Sequence, residues 1–344
     1  MNAQWINFLT QQGFDHAQGD FGAKPQELVA AQDGMAISPL SDFGLIRASG
    51  VDAGTLLQNL LTNDVSGITA STVRFAGMCT PKGRLLATML IWRDGEDFLL
   101  LLPSDVLAGI LKKLTMYVLR SKVKLADATD EFALIGVSRP VAVLDLNDDA
   151  AARSVVPVVG GGAIRLDATR WILCMTPAVA VARWAELCTH ATAVGTEAWQ
   201  WLEIQAGQPR VVAATQEAFV PQMLNMELPD VGGVSFTKGC YPGQEIVART
   251  QYLGKIKRRM YRVHFAAGEK FAAGAPVFSP QTGEQQCGTV VSCTPAPSGG
   301  FDALVCVQST AVESGELNLG TPLGPRPELA ALPYLMDTAS SSDN

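Results

Sequence analysis

The chain has 344 residues, 48% hydrophobic and 17% charged, with a formal net charge of −7. That length exceeds the roughly 250–300 residues at which one hydrophobic core stops growing, so two or three domains are expected. The acidic balance argues against general phosphate-backbone binding, no apolar run approaches the roughly 18 residues that cross a bilayer, and the start lacks a basic-then-apolar leader.

In chain order, "QWINFLTQQG" predicts a short helix stopped at Gly13, followed by a polar stretch to about Asp33. "LIRASG" predicts a strand. In "VDAGTLLQNLLTNDV", Asp52 is placed to cap a helix whose stripe is Leu56, Leu57, Leu60 and Leu61. "VRFAGMCT", "LLATMLIW" and "FLLLLP", joined by the turns "PKGR" and "RDGED", form a three-stranded meander. Leu107, Ile110, Leu111, Leu114, Tyr117 and Val118 recur at helical spacing and predict an amphipathic helix laid on that meander. Strands are then expected at "KVKLADAT", "FALIGVS", "VAVLDL", "AIRLD" and "RWILCMT". Two helices follow, one presenting Val181, Trp184, Ala185 and Cys188 on one side, the other over "TEAWQWLEIQAG" and ending at Gly207. Beyond Lys257 the runs "MYRVHFA", "APVFS", "CGTVVSC" and "ALVCVQ" are short, strand-like and punctuated by Gly and Pro, which predicts a small β-barrel or sandwich. "DTASSSDN" reads as a frayed tail. Segregated helices and strands, rather than strict alternation, predict an α+β architecture.

The seven cysteines are odd in number and scattered, so they form no disulfide framework, and no Cys-x-x-Cys or Cys/His cluster marks a metal site. Walker A, dinucleotide-binding and Gly-x-Ser-x-Gly signatures are absent. Six cations between Arg249 and Arg262 (Arg249, Lys255, Lys257, Arg258, Arg259, Arg262), with no acidic residue among them, form either a docking surface for an anion or a solvated strand face.

The chemistry concentrates in "FTKGCYPGQEIVART", residues 236–250. Gly239 and Gly243 bracket a tight turn where both can adopt backbone angles denied to other residues, and Pro242 suits a helix entrance. Cys240 then lies near a helix N-terminus with Lys238 two residues before it, both of which favour a thiolate. Gln244 and Glu245 offer donors and acceptors matched to the edge of a planar heterocycle. The alternative is a rigid connecting loop in which Glu245 pairs with Arg249 at i, i+4.

"KGCYPGQEIVAR" resembles the signature Lys-Gly-Cys-Tyr-x-Gly-Gln-Glu of the YgfZ family of folate-binding proteins, relatives of the glycine cleavage T-protein. "LLTNDV", "CTPKGRLLA", "WLEIQAG" and "GTVVSC…ALVCV" extend the resemblance along nearly the whole chain. It implies a fold of two intertwined α+β subdomains over residues 1–255, a C-terminal β-barrel over 256–335 and a disordered tail over 336–344, around a central opening that holds tetrahydrofolate. It further implies a cytoplasmic accessory protein with a reduced folate as cofactor, supporting iron–sulfur enzymes or their assembly machinery and through them tRNA modification. Cys240 is then the functional thiol. Lys238, Gly239, Tyr241, Gly243, Gln244, Glu245, Gln205 and Arg249 are the candidate folate-binding residues, with the basic run suited to a glutamate tail. Where T-proteins carry a catalytic carboxylate after the glycine turn, this chain has Ala87 and Thr88, and the T-protein's pterin-binding glutamate aligns with Gln205, with Glu203 nearby. Aminomethyl transfer, the alternative activity, is thereby disfavoured.

Overall fold

A computed structural model describes residues 1–139, 151–254, 256–266 and 268–336. The expected strand "VAVLDL", the tail 337–344 and Lys255 lie outside the described residues.

The chain opens with α1 (Ala3–Gln11), where the Asn2 side chain accepts from the Gln4 amide and Trp5 and Leu9 are buried. A second helix, α2 (Lys24–Asp33), occupies the stretch read from the sequence only as polar. Its sequence shows little amphipathic pattern, and a tertiary anchor holds it in place. Glu27, almost fully buried, accepts from the backbone N–H groups of Phe21 and Ala23 through Oε1 and from Gly195 through Oε2. β1 (Ala36–Pro39) and β2 (Phe43–Ser49) lead into α3 (Ala53–Leu60), which buries Leu56, Leu57 and Leu60. Asp52 stands at the cap position but does not cap α3, because its Oδ2 accepts from the Lys122 amide at 2.7 Å.

The meander forms as β3 (Arg74–Cys79), β4 (Leu85–Asp94) and β5 (Asp97–Pro103). α4 (Ser104–Met116) follows with Val106, Leu107, Ile110 and Leu114 buried; it stops short of Tyr117 and Val118, and Leu119 turns left-handed at φ 44°. β6 (Lys124–Asp127) pairs with β2, so the first sheet runs β3-β4-β5-β2-β6.

The chain then returns to the sheet containing β1. β7 (Ala133–Ser138), β8 (Ser154–Val158), β9 (Gly161–Arg165), β10 (Arg170–Met175) and the short β11 (Thr192–Ala193) complete the order β11-β1-β7-β10-β9-β8. Because β1 joins this second sheet while the next five strands build the first, the two α+β units are intertwined. α5 (Pro177–Leu187) buries Ala180, Trp184 and Leu187, whereas Ala185 and Cys188 are exposed. The buried face is therefore offset from the expected one, because the Trp184 indole packs edge-on against Trp5 of α1. α6 (Thr196–Gln205) ends as expected, with Gly207 left-handed at φ 59°.

After α7 (Gln244–Tyr252) come β12 (Arg258–Phe265), β13 (Pro276–Phe278), β14 (Gln286–Pro295), β15 (Phe301–Gln308), a short α8 (Ser309–Glu313), β16 (Asn318–Leu319) and β17 (Glu328–Ala330). These six strands curl into a half-barrel, ordered β16-β13-β14-β15-β12-β17.

Apolar burial explains the layering. α3 and α4 cover one face of the first sheet through Leu57, Ile110 and Leu114. α1 and α5 cover the outer face of the second sheet through Trp5, Leu9 and Trp184. The inner faces of the two sheets meet through Leu45, Trp92 and Leu101 on one side and Leu134, Ile164 and Ile172 on the other. A further cluster, with Phe75, Leu85, Phe219, Met226, Met260 and Leu304, joins the meander to the half-barrel.

Candidate functional site

The loop singled out in the sequence is fastened to the meander turn. Gly243 is left-handed at φ 85°, and a Cβ there would lie 2.4 Å from the Thr80 carbonyl oxygen and 2.6 Å from the Gly83 backbone. Only glycine fits. Gly239 differs from the expectation: it needs no left-handed geometry, and an added Cβ would meet open space. Lys238 is half-buried and donates through Nζ to the carbonyls of Gln58 and Leu61 at the end of α3, with its ammonium 5.0 Å from the centre of the Tyr241 ring. A cation at a helix C-terminus is favourable there. Burial nevertheless pushes Lys238 down to about 8, against the pull of Asp64 and Cys240. Tyr241 is buried and its phenol is pushed up by that burial. Cys240 is exposed. Gln244 and Glu245 form the first turn of α7, and Glu245 and Arg249 are both exposed and do not pair.

The other cysteines are mostly withdrawn from chemistry. Burial pushes Cys79 and Cys306 up to about 12 and Cys293 to about 11, and raises Cys174 and Cys287 as well. Cys188 is exposed but also shifted upward.

A second feature, a row of three adjoining cavities between the two sheets and the half-barrel, here termed the channel, was not apparent from the loop chemistry. Its wide end is a cavity of about 680 Å³ lined by Arg153, Asp167, Arg170, Trp201, Gln205 and Tyr334, among others. Arg153, Leu166, Arg170 and Gln208 also line a narrow waist of about 50 Å³, whose walls include Phe43, Phe75, Met89, Leu101 and Ile172. Glu203, Gln208 and Arg210 are shared between the waist and a third chamber of about 190 Å³, closed by Lys270, Phe271 and Cys293 of the half-barrel side.

At the junction of waist and third chamber, Arg210 donates to Glu203 Oε2 at 2.5 Å and to Asp42, and lies 4.1 Å over the Phe43 ring. Burial pushes the Glu203 carboxyl up, Arg210 pulls it down, and the neighbouring Asp42 charge adds to the rise. Glu203 Oε1 has no hydrogen-bond partner among the described residues. Thr88 also lines the waist, where its Oγ1 accepts from the Val211 amide at 3.1 Å, and neighbouring Ala87 is buried. No carboxylate stands at either position.

The structure therefore separates the sequence-predicted residues. Lys238, Gly239, Cys240, Tyr241, Gly243, Gln244, Glu245 and Arg249 group at the loop and α7, whereas Gln205 belongs to the channel. Gln205 Nε2 donates to Asp302 Oδ2 at 2.8 Å and its Oε1 accepts from Arg262, so both ends of its amide are taken up between α6 and the half-barrel. Trp201 Nε1 and His264 Nδ1 bind the same Asp302 carboxylate at 2.7 and 2.8 Å. The basic run is likewise partly internal, since Arg259 pairs with buried Glu227 at 2.6 Å. Asp42, Arg153, Arg170 and Arg210 escaped the sequence reading. One signal was present: Arg170 heads "RWILCM", a strand whose every residue is buried.

Residues 4–148 match the family described as the GCVT N-terminal domain. The chain is 32% identical over 236 residues to the tRNA-modifying protein YgfZ of Vibrio vulnificus (strain YJ016), covering 67% of this chain and 70% of that protein. It is 30% identical over 309 residues to the protein of the same name in Serratia proteamaculans, covering 87% and 92%. In structure it resembles the glycine cleavage system aminomethyltransferase T from Bartonella henselae, with a TM-score of 0.71 over 90% of this chain and 89% of the other, at 17% sequence identity.

Proposed function

The chain belongs to the YgfZ family, and from that membership we propose that it binds a reduced folate along the central channel and serves as an accessory protein for iron–sulfur enzymes, and through them for tRNA modification. The observation that carries the folate reading is Glu203, a sequestered carboxylate at the waist with one oxygen held by Arg210 and the other unpartnered. A pteridine presents adjacent ring N–H and exocyclic amino donors, which a carboxylate of this kind accepts. The apolar walls of Phe43, Phe75, Met89 and Leu101 at the waist suit a flat ring, and the adjoining wide cavity, about 680 Å³, lies within the range usual for ligand sites.

In this reading the folate-binding region is 1–255 and the half-barrel, 256–335, closes the channel. The neutral pair Ala87 and Thr88 supports an accessory role over one-carbon transfer, which needs a group to move protons near the folate nitrogen. Cys240, displayed on an outer loop anchored by Lys238 and Gly243, is the thiol offered to a protein partner.

Calorimetric titration with tetrahydrofolate tests the binding. Saturable heat is expected, weakened about 10- to 100-fold in Glu203→Gln, the loss of a charge-assisted hydrogen bond. No heat and no thermal shift with tetrahydrofolate or its polyglutamates would remove the reading. For the thiol, Cys240→Ser should fold and bind folate normally but fail to restore a strain lacking the family protein; full restoration would count against Cys240.

A further inference from the structure

Arg170 is 4% exposed, and its guanidinium is only partly satisfied. Nε and Nη2 both donate to Asp167 Oδ2, at 2.8 and 2.7 Å, while Nη1 is buried with no hydrogen-bond partner. That orphan donor belongs to a residue that lines both the wide cavity and the waist. Arg153 lines the same two spaces. It donates to the carbonyls of Gly232 and Asp230, at 3.2 and 2.7 Å, and forms no ion pair among the described residues. Burial lowers the Arg153 pKa, Arg74 and Arg170 lower it further, and Asp230 and Asp167 oppose them. Two arginines thus converge where one carboxylate, Asp167, is already spent on Arg170 and on the Thr169 and Arg170 amides. A buried donor without an acceptor is costly, and an oxyanion relieves it.

We propose that Arg153 and Arg170 build an oxyanion-binding subsite at the junction of the wide cavity and the waist, which takes a carboxylate of the ligand's glutamyl chain or, in its absence, phosphate. The channel is then bipolar, with cations at one junction and Glu203 at the next, as a folate is bipolar from glutamate to pteridine. The assignment of a glutamyl carboxylate rests on the folate reading; the anion site does not.

The test has two arms on the full-length protein. In the first, sodium phosphate is titrated at constant ionic strength and stability is read by thermal shift. Saturable stabilisation is expected, and it should weaken about tenfold or more in Arg153→Gln and in Arg170→Lys, which keeps the charge but loses the planar fork. In the second, 6-methyltetrahydropterin, tetrahydrofolate and its triglutamate are compared. The chain-bearing ligands should bind about tenfold or more tighter than the pterin, this advantage should fall to about two- to threefold in either variant, the pterin losing less affinity than the chain-bearing ligands, and phosphate should compete only with the chain-bearing ligands. Saturable, arginine-dependent phosphate binding without any folate binding upholds the subsite and removes the folate reading. Folate binding with no chain advantage, or phosphate stabilisation equal in both variants, meaning an adventitious ion only, overturns the subsite. Should Arg170→Lys fail to fold, Arg153→Gln, whose native contacts are only to carbonyls, decides.

Discussion

Cys240 and Cys188 are the exposed thiols of the chain, and the other five are held protonated or enclosed by burial. Native protein treated with a thiol reagent at neutral pH should therefore be modified at Cys240 and Cys188 alone, with the remaining five labelled only after unfolding; peptide mapping reads this directly. Around Cys240 the glycines are unequal. Gly243→Ala forces a left-handed alanine into the Thr80 carbonyl and should cost at least about 1–2 kcal/mol in urea unfolding, whereas Gly239→Ala should be close to neutral. Lys238 gives a pH signature. Its folded pKa, about 8, lies below its ordinary 10.5, so between these values the unfolded chain holds more protons and stability rises with pH. The penalty is full below about 8 and relieved as pH climbs to 10.5. Lys238→Met should abolish that rise in the stability profile measured by denaturant titration.

At the scale of elements, helices with a regular apolar stripe, α3 and α4, form where their periodicity places them, while α2 forms without one. Glu27 joins the start of α2 to the Gly195 amide before α6. Glu27→Ala leaves three backbone donors without their carboxylate and should cost about 2–4 kcal/mol, measured by urea unfolding. The contact of α6 with the half-barrel is equally polar, with Asp302 accepting from Trp201, Gln205 and His264. Such elements depend on partners more than 95 residues away in sequence, which no local window contains.

In the whole molecule, the two sheets, α6 and the half-barrel enclose three adjoining cavities that share wall residues. Tetrahydrofolate at about 100 times its Kd should stabilise the native chain by about 2.7 kcal/mol, seen as a ligand-dependent rise in Tm. The family signature, the meander, the end of α6 at Gly207 and the strand-rich C-terminal part were legible in the residues, because turn chemistry, hydrophobic period and loop glycines act over a few positions. The channel was not. Glu203 drew notice only through its neighbour Gln205, and Asp42, Arg153, Arg170 and Arg210 are single charges in unremarkable local contexts. The intertwined sheets bring residues 153, 170, 203 and 210 to common cavity walls, with Asp42 bound to Arg210 beside them, and withdraw them from water. Sequence by itself determined the family and the fold class, which local residue types specify. Only the tertiary structure decided that this loop and the channel are distinct places, and which charges are buried, because desolvation and ion pairing depend on neighbours that chain order does not reveal.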